Sequence, residues 1–126
     1  MEDLYIKMTP QTPEISFTIG GDLSIKGVSI PENTYAFYSE AIAWLKEFEF
    51  HLPNKVTLNL EFEYLNTASN RSIIDLVRLI LKYKERRIEF RVNWLYEAED
   101  DDAIELGEDL EFCVDMKFNF IPKRVS

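Results

Sequence analysis

The chain has 126 residues, 46% hydrophobic and 13% aromatic, which is enough apolar surface to order one domain and too little length for a multidomain enzyme. With 23 Asp and Glu against 14 Lys and Arg, its formal charge of -9 argues against nucleic acid or an anionic membrane as the main partner. A single cysteine and a single histidine exclude an internal disulfide and a Cys/His zinc cage, and the acidic start Met1-Glu2-Asp3, with no later run of membrane-spanning length, predicts a cytoplasmic chain without membrane insertion.

Glu14–Ile19 and Leu23–Val28 alternate apolar and polar residues around Gly20-Gly21-Asp22, the pattern of a hairpin whose glycines supply positive φ. A helix follows. Ser29-Ile30-Pro31-Glu32 has capping-box spacing, and Asn33 is the alternative N-cap. Phe37, Ala41, Trp44, Leu45 and Phe48 then recur at helical spacing, up to Pro53-Asn54.

Val56, Leu58, Leu60, Phe62 and Tyr64 alternate with polar residues, which predicts a strand with all five on the buried side. After Leu65–Asn70 the period changes. Ile73, Leu76, Val77, Ile80 and Leu81 form a helical stripe, with Arg71, Asp75, Arg78, Lys82 and Glu85 on the wet face. Ile88, Phe90, Val92, Trp94 and Tyr96 make another strand, so strand, helix and strand predict a βαβ crossover.

The acidic stretch Glu97–Asp102 leads into Ala103, Leu106, Leu110 and Val114, a weak helical stripe interrupted by Gly107. Met116, Phe118 and Phe120 close the pattern before Pro122. The predicted class is α/β, one domain over residues 1–126, with helices packed on a mixed β-sheet in the order ββαβαβαβ.

Chemistry is sparse along this chain. No glycine-rich phosphate loop, nucleophile elbow, HExxH or histidine paired with a nucleophile is present, so no catalytic residue and no cofactor are assigned. No frame through Glu97–Glu111 supplies the alternating oxygens, central glycine and closing glutamate of an EF-hand; this run reads as a solvated face or partner surface rather than a metal site. His51 suits the end of the first helix, Cys113 reads as a small buried side chain, and Trp44 and Trp94 fall on core phases. Asn70-Arg71-Ser72 spells a glycosylation sequon, which has no meaning without a secretory leader.

The loop Tyr64–Asn70 hands a strand to a helix. Asn66, Thr67 and Ser69 are all good capping residues, and a phosphate on a hydroxyl there would meet the positive end of the helix. Capping and modification are compatible uses of the same turn.

The sequence resembles the SiaC family of bacterial regulatory phosphoproteins over nearly its whole length. The resemblance rests on Thr12-Pro13-Glu14-Ile15, Pro31-Glu32-Asn33, Phe37-Tyr38, Trp44-Leu45, Trp94 with Tyr96, and Glu105-Leu106-Gly107-Glu108-Asp109, and above all on Tyr64-Leu65-Asn66-Thr67. It implies a fold like that of the STAS-type anti-sigma-factor antagonists. It also implies phosphorylation at Thr67 by a Ser/Thr kinase, reversal by a PP2C-type phosphatase, and an unphosphorylated form that activates a GGDEF diguanylate cyclase or another downstream effector. Where the family typically reads Asn-Thr-Ser-Ser, this chain has Asn66-Thr67-Ala68-Ser69, leaving Thr67 as the acceptor and Ser69 in reserve. Tyr64, Leu65, Asn66, Ala68, Asn70 and Arg71 are then the expected docking and phosphate-contacting residues, Arg71 standing one turn from Thr67. The alternative is an assembly module that dimerises or scaffolds, with Thr67 only a cap.

Charge is unevenly placed. Every charged residue from Glu97 to Asp115 is acidic, whereas Arg71, Arg78, Lys82, Lys84, Arg86 and Arg87 gather on and after the second helix. The helix that follows Thr67 is locally basic within an acidic protein.

Overall fold

The structure, a computed structural model, describes residues 1–124. Three strands come first: β1 (Leu4–Ile6), β2 (Glu14–Phe17) and β3 (Asp22–Ser29). Then α1 (Thr34–Phe48), β4 (Lys55–Leu65), α2 (Thr67–Leu81), a 3₁₀ turn (Lys82–Arg86), β5 (Glu89–Glu97), α3 (Asp101–Val114) and β6 (Asn119–Lys123) alternate. The α/β class with a mixed sheet is as expected. The order gains one strand, β1, because a three-residue edge strand is too short to show a period.

Sheet order follows chain order, β1 to β6. β1, β2 and β3 pair antiparallel, and β3, β4, β5 and β6 pair parallel, each parallel step crossing through one helix. Inward residues of every long strand share one core with α1, α2 and α3, while their neighbours along each strand remain partly or fully exposed. The helices therefore cover one face of the sheet and leave the other open. On the open face Asn119 Nδ2 donates to Asn93 Oδ1 at 3.1 Å and Asn93 Nδ2 to Asn59 Oδ1 at 2.9 Å, so side-chain amides ladder β4, β5 and β6 together.

Local chemistry explains the element ends. Asn33, not Ser29, caps α1, its Oδ1 accepting from Ala36 N at 3.0 Å, and Asp100 caps α3 through Ala103 N. Tyr38 replaces Phe37 on the buried stripe of α1 and keeps helical spacing with Ala41, Leu45 and Phe48. At the β2–β3 turn only Gly21 has positive φ; a Cβ there would lie 2.3 Å from the carbonyl of Lys55, so the position needs glycine twice over.

Three further expectations are corrected. The last strand runs through Pro122 instead of stopping before it, which an edge strand tolerates because its outward N–H is not needed for pairing. Cys113 is exposed, since it falls beside Phe112 on the outward side of α3. Gly107 does not interrupt α3 but seats it: a Cβ there would stand 2.6 Å from Trp94 Nε1 and 2.8 Å from Phe120. Trp94 in turn donates from Nε1 to the carbonyl of Ala103 at 2.9 Å, fixing α3 against β5.

Candidate functional site

The ends of the parallel strands place the β4–α2 turn beside the β3–α1 connection. Register decides what that turn displays. Gly27 pairs with Phe62, but Val28 pairs with Tyr64, so Glu63 is an extra residue on β4 and the alternation slips by one. Tyr64, expected on the buried side, is 59% exposed as a result, and Leu65 turns partly inward. Gly27 has φ 127°, a conformation that L side chains rarely adopt, and Met8 and Pro13 of the β1–β2 loop lie against it, a Cβ there standing 3.0 Å from Met8 Cε.

Beyond β4, Asn66 is the N-cap of α2: its Oδ1 accepts from Ser69 N at 2.8 Å and its carbonyl from Asn70 N at 2.9 Å. Thr67 is thus the first helical residue, and both Thr67 and Ala68 are exposed. The first turn of α2 holds no acidic residue, so its unpaired N–H groups and positive end face solvent without a built-in counter-charge. Arg71, one turn onward on the same side, is exposed, its Nε 4.0 Å from Asp75 Oδ1. A pair that open contributes little stability and leaves the guanidinium available.

Ser69 differs completely from Thr67. It is fully buried, its Oγ 2.8 Å from Ser29 Oγ and 3.1 Å from the Ser29 carbonyl, and Ser29 Oγ lies 2.6 Å from the Tyr38 hydroxyl. The reserve acceptor is therefore inside the protein. Burial pushes the Tyr38 phenol up to about 12, against a smaller downward pull from the neighbouring Ser29 and Ser69 hydroxyls, so it stays neutral at physiological pH. Asn70 is half-buried, with Oδ1 enclosed and without a hydrogen-bond partner.

Of the expected site residues, then, the structure exposes Tyr64, Thr67, Ala68 and Arg71 around one turn, and leaves Leu65, Asn66 and Asn70 half-buried. Sequence reasoning missed Ser29 and Tyr38 as supports of that turn. For Tyr38 a signal existed in its helical phase; for Ser29, read as a capping residue, there was none.

The surroundings are acidic. A groove of about 590 Å³ at the same end of the sheet carries Glu61, Glu63, Glu97 and Asp100 against Lys123 and Arg124. On the outer side, Asp101, Asp102, Glu105, Glu108 and Asp109 of α3 are exposed, and among the described residues no three His, Cys, Asp or Glu side chains converge as a metal site. α2 and α3 are joined where Arg78 Nη2 donates to the Cys113 carbonyl at 2.9 Å. No helix among the described residues is long and apolar enough to cross a membrane.

Residues 6–123 match the family model described as SiaC family regulatory phosphoprotein. An uncharacterized protein of Pseudomonas aeruginosa (strain UCBPP-PA14) is 32% identical over 121 residues, covering 95% of this chain and 94% of that one. Among solved structures, apo-SiaC from Pseudomonas aeruginosa superposes with a TM-score of 0.83 at 30% identity, covering 98% of this chain and 99% of that one. A chain of the crystal structure of the diguanylate cyclase SiaD in complex with its activator SiaC, from the same organism, superposes with a TM-score of 0.85 at 29% identity, covering 98% of this chain and 100% of that one.

Proposed function

Because the chain belongs to the SiaC family of regulatory phosphoproteins, we propose that it is a non-enzymatic, switchable activator of a GGDEF diguanylate cyclase, acting in the cytoplasm as one SiaC-like domain over residues 1–126. The observation that carries this reading is the whole-chain likeness to SiaC, a protein solved in complex with the cyclase SiaD as its activator. Thr67 is the phosphorylated residue in this reading, with a Ser/Thr kinase adding the phosphate and a PP2C-type phosphatase removing it. Its exposure at the first position of α2 supports that role.

The mechanism follows from local electrostatics. Unmodified, the turn offers an aromatic ring, two small side chains and a cation: Tyr64, Thr67, Ala68 and Arg71. Phosphate adds about -1.5 to -2 charges, which the positive helix end and Arg71 tolerate but an acidic or apolar partner surface does not. The helix persists while the partner leaves.

The test measures cyclic di-GMP formed from GTP by the cognate cyclase. Unmodified protein and Thr67→Ala are expected to raise the rate, and protein phosphorylated at Thr67 to leave it basal. Equal activation by the phosphorylated form would overturn the proposal.

A further inference from the structure

Ser69 offers the same chemistry to a kinase as Thr67, two residues away, yet its hydroxyl is engaged in the core. Three buried hydroxyls form an unbranched chain, and proton counting fixes its direction, since each hydroxyl has one hydrogen. Ser69 donates to the Ser29 carbonyl at 3.1 Å, and Ser29 donates to Ser69 Oγ at 2.8 Å. Tyr38 is left as the donor across its 2.6 Å contact with Ser29 Oγ. The Ser29 carbonyl also accepts from Asn66 N at 3.2 Å. Residues on both sides of Thr67 are therefore tied to one carbonyl at the end of β3, and the side chain of the same Ser29 ties that strand end to Tyr38 of α1.

A first helical turn is the part of a helix that most readily frays, because its N–H groups have no intrahelical partners. A fully satisfied network out of water opposes that fraying strongly. We infer that Tyr38, Ser29 and Ser69 are positioning residues for the modification of Thr67, holding the turn so that residue 67 is presented and residue 69 withheld. This rests on Thr67 being the acceptor, as proposed above.

Tyr38→Phe removes one oxygen and keeps the ring, and Ser69→Ala removes the last hydroxyl of the chain, the one that donates to the Ser29 carbonyl. Each is compared with wild type in phosphorylation by the cognate Ser/Thr kinase and ATP, with kcat and KM resolved, and in amide hydrogen exchange. The expected result is a kcat about tenfold lower with KM within about twofold, as misplacement of a reacting group produces. Exchange over residues 66–70 is expected to quicken while that of β4 does not. A wild-type kcat in both variants, or slowing accompanied by equally faster exchange in β4, overturns the positioning role. Wild-type protein that takes no phosphate on Thr67 sinks the acceptor assignment first, and the positioning role with it.

Discussion

Tyr64 pairs with Val28 on the neighbouring strand, one residue out of the register that Phe62 keeps with Gly27. A strand that alternated without interruption would send the Tyr64 ring into the core; the slip at Glu63 sends it to solvent beside Thr67. Exposed tyrosines beside a docking turn are common anchors of binding energy, and their removal costs the fold little. Tyr64→Ala is expected to weaken cyclase binding about tenfold or more, read by calorimetry, with a thermal midpoint within about 2 °C of wild type.

Charge at residue 67 acts in opposite directions on the fold and on the complex. Thr67→Glu places a carboxylate at the positive end of α2, where it stabilises the helix by about 0.5 kcal/mol. The same variant is expected to bind the cyclase at least about tenfold more weakly, through repulsion at the docking surface. Urea unfolding and a titration on one preparation would check both signs, and a loss of stability would contradict the helix-end argument.

The cap beneath that residue is a separate matter. Asn66→Ala removes the acceptor for Ser69 N and is expected to cost about 1 kcal/mol, whereas Asn66→Asp retains it. Chemical denaturation of the two variants should therefore separate them, with only the alanine form losing stability.

Gly107 predicts a larger effect. Adding a methyl group at this position forces α3 away from Trp94 and Phe120, an overpacking expected to cost about 1–3 kcal/mol despite alanine's better helix propensity. Gly107→Ala should melt at a lower temperature and show altered tryptophan emission.

Alkaline stability depends on Tyr38. Its phenol is held at about 12 in the folded protein, above the ordinary value of 10.0. The folded state therefore keeps a proton that the unfolded chain releases. That stabilisation is complete below pH 10 and is lost as pH rises towards 12, by about 3 kcal/mol in all. Tyr83, raised by burial and then by Glu49, adds a decline with the same sign. Tyr38→Phe should flatten the fall in unfolding free energy above pH 10 without abolishing it.

Much of this molecule was legible because period and burial are local properties. Two apolar faces of different period separated the helices from the long strands, and Asn33 and Asn66 stood among the candidate caps of α1 and α2, whereas the cap at Asp100 was hidden within its acidic run. The loop Tyr64–Asn70 stood out in the same way, as a polar break between periods. β1 and the run through Pro122 were not legible, since edge strands are held by pairing with a neighbour and carry little pattern of their own.

The sequence by itself determined that Thr67 would stand at the start of a helix, because capping chemistry and helical phase are encoded within a few residues. Only the tertiary structure decided what surrounds it. The slip that exposes Tyr64 needs β3 alongside β4, and the burial of Ser69 needs Ser29, 40 residues away, with Tyr38 on another helix. Contacts between distant segments leave no periodic trace in the chain. They arise when strands pair and helices dock, and it is there that of two hydroxyls in one turn Thr67 is left outside and Ser69 is taken inside.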